Sequence, residues 1–123
     1  MTTRRRIAAT IVAALSMTGI VIGALPATAA AAPAINCIQN PTQNSNNEAR
    51  FTGTDVRIHT GPSTTCTPVG LGQRNHDVTA HCGRYIATHP PTVTWVYLTD
   101  NTTHKTGWSA ASLVTWSGTL ASC

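Results

Sequence analysis

Cysteine, histidine and aromatic side chains are the groups in this 123-residue chain with the most chemistry to offer. The cysteines stand at Cys37, Cys66, Cys82 and Cys123. Cys82 beside His81, or near His104 in a folded chain, would suit a thiol hydrolase. That chemistry needs a free thiolate, a base and an orienting group. An even cysteine count in an exported chain favours disulfides instead. Structural zinc asks for paired ligands at short, repeated spacings. His81 and Cys82 are adjacent, so on a strand they face opposite ways. The chain has no C-x-x-C and no H-x-x-x-H pair, and neither a metal nor another cofactor is expected. Asp55, Asp77 and Asp100 are scattered, and no G-x-S-x-G is present. No catalytic residue is assigned, and the expectation is a protein that is not an enzyme.

The aromatic residues point to binding. Thr92 to Leu113, TVTWVYLTDNTTHKTGWSAASL, alternates apolar and small polar residues and turns at Asp100-Asn101. This is the pattern of an antiparallel hairpin. Val96 and Leu98 would face the core, and Trp95 and Tyr97 the opposite side, in water. Trp108, after Gly107, is expected to fill the core. Aromatic rings stack on sugars or short peptides at low entropic cost. Asp100, His104 and Lys105 flank the turn, and Arg57 and His59 occupy the outer side of an earlier strand. Arg57, His59, Trp95, Tyr97, Asp100 and His104 are therefore the candidate ligand-binding residues.

These side chains need a scaffold. Residues 1–29 have the form of a cleaved secretory signal peptide: Arg4-Arg5-Arg6, an apolar run from Ile7 to Leu25, then Pro26 and the small-x-small site Ala27-Thr28-Ala29. Three of the 8 Lys and Arg lie in it, which leaves 5 against 4 Asp and Glu, a mature charge of +1. So small a charge excludes a nucleic-acid partner and, once the signal is removed, an electrostatic membrane partner. Residues 30–49, rich in Asn and Gln with Pro33 and Pro41, read as a polar arm anchored only by Cys37.

The domain then spans residues 50–123. Alternation predicts strands at Asp55 to His59, Val69 to Gly72 and Asp77 to Cys82, the two arms of the hairpin, and Val114 to Trp116. Val78, Ala80 and Cys82 would share one face. Gly61-Pro62-Ser63 breaks the first strand, Gly83 to Pro91 makes a long loop, and Ser109 to Leu113 allows one helical turn. Five or six short strands without an amphipathic helix make an all-β domain, a small barrel. A barrel this size buries little apolar area and needs a covalent brace. Four cysteines permit three pairings. Cys66–Cys82 within the domain, with Cys37–Cys123 tying arm to C-terminus, is the expected one.

The motifs now resemble a family. Val56-Arg57-Ile58-His59-Thr60-Gly61-Pro62-Ser63-Thr64 resembles the V-N-V-R-[ST]-G-P-S-[ST] opening of bacterial SH3 (SH3b) domains. Val69-Gly70 resembles the V-[VI]-G that follows, and Asp77-Val78-Thr79 stands where the family has K-V-T. Trp95-Val96-Tyr97-Leu98 resembles W-Y-K-V, and Lys105-Thr106-Gly107-Trp108-Ser109 with Leu113 resembles the K-T-G-W-V…Y-L close. The likeness covers residues 50–116 in order and is strongest to small secreted actinobacterial members. Arg57 replaces the family asparagine, His59 the arginine.

The resemblance implies an SH3-like barrel, secreted or cell-wall associated, acting as a monomeric non-catalytic binding module. Its implied partner is cell-wall peptidoglycan or its peptide stems. The alternative partner is a secreted protein, gripped through the loops Gly61 to Thr65 and Gly83 to Pro91.

Overall fold

Apolar residues at every second position, punctuated by Gly, Pro and Asn, favour short strands, and the protein is all-β. The computed structural model describes residues 35–42 and 44–123. The expected signal peptide lies outside the described residues. Eight strands follow: β1 (Asn47–Phe51), β2 (Val56–His59), β3 (Pro68–Gly72), β4 (Val78–Ile86), β5 (Thr92–Asp100), β6 (Lys105–Ala110), β7 (Val114–Trp116) and β8 (Ala121–Ser122). One 3-10 turn, Ala111–Leu113, separates β6 from β7. The strand order is β3-β2-β6-β5-β4-β1-β7, with β8 added parallel to β4. The sheet is strongly curled into a half-barrel, as a small β-barrel requires.

Six of these strands were expected, and β1 and β8 were not. The arm's last residues, Asn47 to Ala49, pair with Ala80 to Val78 of β4. Ala49 and Phe51 supply the inward alternation, but the polar neighbours Asn47, Glu48 and Arg50 mask it in the sequence. The loop expected from Gly83 to Pro91 is also shorter. β4 continues to Ile86, opposite Thr92 of β5, which leaves Ala87 to Pro91.

The concave face holds Phe51, Val56, Ile58, Val78, Ala80, Val96, Leu98, Val114 and Leu120, all nearly or fully buried. At about 1.5–3 kcal/mol for each large apolar side chain, this cluster is the principal driving force for folding. Val96 and Leu98 lie here as their alternation predicts. Gly72 makes the curl possible: a Cβ there would overlap the Phe51 ring.

The convex face of the central hairpin is not left to water. Cys82, Tyr97 and Trp108 form a second buried cluster there, flanked by Trp95 and Ala121. Trp108 is buried, as expected, but on the opposite side of the sheet from the main core. The cover is the polar arm, which is pinned rather than loose. Trp108 Nε1 donates to the carbonyl of Gln39 at 2.9 Å. Ser45 N donates to the carbonyl of His81 at 2.6 Å, and Arg84 donates to Gln39 Oε1 at 2.8 Å. Backbone groups of a segment without regular structure thereby find partners, as burial demands.

The disulfides correct the expected pairing. They join Cys37 to Cys66 and Cys82 to Cys123, with Cα separations of 5.3 and 5.1 Å. A bulge at His81 is one reason. Ala80 pairs with Leu98 and Cys82 with Tyr97, so His81 is an extra residue and Cys82 is turned onto the convex face. There β8 runs beside it, with Cys82 opposite Ala121. The arm's path over the hairpin is the other reason, because it lays Cys37 on the loop between β2 and β3. Gly61 admits it: a Cβ on Gly61 would lie 2.7 Å from Cys37 Cα. Two disulfides fit an oxidising, extracellular setting. Among the described residues no helix is long and apolar enough to cross a membrane.

Peptide mapping of the oxidised protein should recover Cys37–Cys66 and Cys82–Cys123. Replacing Cys37 and Cys66 by serine should lower stability by about 3–4 kcal/mol and red-shift tryptophan emission as water reaches Trp108. Unchanged emission from that variant would mean that the arm holds without its cystine.

Candidate functional site

Register across the convex face decides which candidates meet. Arg84 of β4 lies opposite Trp95 of β5, and Trp95 opposite Ala110 of β6. His59 of β2 pairs with Trp108 of β6. Two residues further along that antiparallel ladder, Arg57 comes beside Ala110, and Arg57 pairs in turn with Leu71 of β3. One row across the sheet is thus Arg84, Trp95, Ala110, Arg57, Leu71. The next is Cys82, Tyr97, Trp108, His59, Pro68. The arm covers the second row and touches the first at Arg84, which donates to Gln39 Oε1; Trp95, Ala110 and Arg57 lie beside the groove.

A groove of about 310 Å³ opens on the uncovered row. Trp95, half-buried, is its aromatic wall. Val56, Ala110 and Leu113 give it an apolar lining, and Arg57, Asp55, Thr64 and His59 line the rest. The 3-10 turn brings Leu113 there, with 42% of its surface exposed. His59 is only 5% exposed. Its Nδ1–H donates to the carbonyl of Cys66 at 2.8 Å, and its ring stands edge-on to Trp95 at 5.7 Å between centroids. Nε2 has no protein partner among the described residues, yet it is not a buried orphan. In the neutral ring that nitrogen is an acceptor available to the groove. Asp55 has φ +55° and exchanges hydrogen bonds with Gln73, its backbone N–H donating to Oε1 and its Oδ1 accepting from Nε2.

Arg57, His59 and Trp95 are therefore brought together. The other three candidates are not. Tyr97 is 9% exposed, sandwiched between His81 and Trp108 with centroids at 5.9 and 5.3 Å. Its remaining surface lines a separate cleft of about 230 Å³ with Pro41, Thr42, Asn44, His81 and Thr106. Expected in water, Tyr97 is instead under the arm, and burial raises the pKa of its hydroxyl. Asp100 is fully buried and builds the hairpin turn. Its Oδ1 accepts from the N–H groups of Thr102 and Thr103 at 3.0 and 3.3 Å, and Oδ2 accepts from His76 Nδ1 at 2.6 Å. That carboxylate is committed to structure and cannot face a ligand. His104, exposed with φ +58° at the end of the Asn101–His104 turn, does not line the groove.

Sequence reasoning missed Leu113, Ala110, Asp55 and Arg84. Only the register showed that Ala110 and Arg84 flank Trp95, and only the 3-10 turn raises Leu113 to the groove. All four cysteines are in disulfides, so a cysteine nucleophile is not available to the oxidised protein. Among the described residues no group of three His, Cys, Asp or Glu converges as a metal would require.

His81 is the titratable link between sheet and arm. Its Nδ1–H donates to Asn44 Oδ1 at 2.7 Å, and Nε2 meets the Thr99 hydroxyl at 2.8 Å. Burial holds its pKa below the ordinary 6.5. On acidification the unfolded chain protonates first. The contribution of neutral His81 is thus complete above pH 6.5 and is lost as pH falls toward the depressed folded value. Melting temperature should drop as pH is lowered from about 8 to about 5, and His81→Gln should flatten that slope. An equally steep slope in the variant would exclude His81 as its source.

Comparison with family models, with curated proteins and with solved structures finds no match to this chain.

Proposed function

We propose that this protein is a secreted, non-catalytic binding module of the SH3b type that recognises cell-wall peptidoglycan through its peptide stems. The observation that carries the reading is the groove walled by half-exposed Trp95 on a convex face where Tyr97 and Trp108 are buried beneath the arm. Leaving Trp95 half-exposed beside an apolar lining has a hydration cost, and a protein that covers Tyr97 and Trp108 so thoroughly has the means to cover Trp95 as well. Such residual aromatic surface beside a few placed polar groups is the usual form of a ligand site.

The chemistry of the groove suits a short peptide. Ala110 and Leu113 offer contacts to alanine-sized methyl groups. His59 Nε2 accepts a hydrogen bond, the Thr64 hydroxyl gives or takes one, and Arg57 presents a guanidinium for a carboxylate. The ordered motifs that resemble SH3b domains support the same reading, since β2, β3, β4, β5 and β6 contain them in sequence order. Two disulfides and the signal-like leader sequence support export.

Purified wall material should retain the mature, oxidised protein, and Trp95→Ala should weaken retention by about tenfold or more while its melting curve stays cooperative. Equal retention of wild type and variant would remove the groove as the binding surface.

A further inference from the structure

The row that carries Trp95 also carries two guanidinium groups, one on either side. We propose that Arg57 and Arg84 form a two-point clamp for an extended acidic peptide lying across the strands over Trp95. This rests on the reading of the groove as a peptide site and specifies what that peptide must bear.

The chain has four Asp and Glu, and each is engaged elsewhere. Glu48 pairs with Arg50, Asp100 with His76, Asp55 bonds to Gln73, and Asp77 bonds to Asn101. No carboxylate lies within ion-pair distance of Arg57 or Arg84 among the described residues. Arg57 has no side-chain hydrogen bond there. Arg84 has one, to the neutral amide of Gln39 at 2.8 Å; it lies at the edge of the groove, in a neighbouring cleft shared with Gln39, Trp108 and Cys123, with no ion-pair partner among the described residues and N–H groups to spare. Both side chains are exposed. A guanidinium is the best side-chain partner for a carboxylate because its N–H fork matches both oxygens.

Arg84, Trp95, Ala110 and Arg57 stand on four successive strands, β4, β5, β6 and β2. Three inter-strand steps of about 4.8 Å separate the outer pair by about 14 Å along the sheet. An extended peptide rises about 3.4 Å per residue, so that distance is about four residues. Carboxylates at positions i and i+4 then meet the two arginines while the middle residues cross Trp95 and Ala110. Small apolar residues fit that crossing, because the groove there is lined by Val56, Ala110 and Leu113. Asp55, at the same end as Arg57, repels a third acidic group beyond it and sets the register.

The test uses the oxidised protein and two capped pentapeptides, Glu-Ala-Ala-Ala-Glu and Gln-Ala-Ala-Ala-Gln, by calorimetry, together with retention on purified wall. The acidic peptide should bind about tenfold tighter than the amide peptide, as charge-assisted bonds require. Arg57→Gln and Arg84→Gln should each remove about tenfold, Arg→Lys at either position should restore part of it, and added salt should weaken wild type more than the variants. If the double Arg→Gln variant binds peptide and wall like wild type while Trp95→Ala loses the wall, the clamp is wrong and the groove stands. If none of these variants changes wall retention, both are wrong. Walls stripped of their stem peptides that still retain the protein through Arg57 and Arg84 would make the ligand an anionic glycan polymer and overturn the peptide assignment.

Discussion

The hydrogen bond from the Trp108 indole to the carbonyl of Gln39 shows what problem this chain had to solve. A half-barrel of short strands has one concave interior, and that interior is already filled by Phe51, Ile58, Val96, Leu98 and their neighbours. The central hairpin is apolar on its other side as well. Trp108 is 1% exposed only because a stretch of Asn, Gln, Pro and Thr is drawn across it, the Gln39 carbonyl accepting from the indole N–H and the Ser45 N–H donating to the carbonyl of His81. Such a stretch has no apolar pattern to drive it there. The Cys37–Cys66 bridge supplies the missing drive by closing a loop of 29 residues. Covalent closure, aromatic burial and the arm's hydrogen bonds are one cooperative unit, and the groove exists at its margin.

That margin explains why the residues of the groove are few. The cover follows the row of Tyr97, Trp108 and His59 and stops before the row of Trp95 and Arg57. Side chains two residues apart on one strand, Trp95 and Tyr97, therefore have opposite fates. One is a groove wall, and the other packs beneath the arm. His59 straddles the two: its Nδ1 holds the carbonyl of Cys66, beside the cystine that fastens the arm, while its ring edge meets Trp95.

The strands were legible because their alternation is clean. Val78 and Ala80, Val96 and Leu98, and Val56 and Ile58 each repeat at period two, and each pair is buried. Where the structure departs from that pattern, a two-residue rule could not see the cause. A single extra residue, His81, reverses the face of everything after it in β4 and carries Cys82 away from Val78 and Ala80. β8 has only Ala121 and Ser122 and forms because β4 offers an open edge beyond β1. Asp100 read as a ligand-binding carboxylate because nothing local announces His76, 24 residues away, as its partner. The groove was half legible: aromatic and basic residue types suggested Trp95, Arg57 and His59. The register that sets Arg84 opposite Trp95, and the 3-10 turn that brings Leu113 to the groove, are not written in any one segment.

The placement of the two cystines has a mechanical corollary. A pull applied upstream of Cys37 does not peel the arm residue by residue. It passes through sulfur into the loop between β2 and β3, while a pull on Cys123 passes into β4. Tension between those points is passed across the β2, β6, β5 and β4 ladders rather than along the arm. A protein pulled between its arm and Cys123 would thus carry the load through the sheet whose convex face holds the Trp95 groove, not through the arm alone.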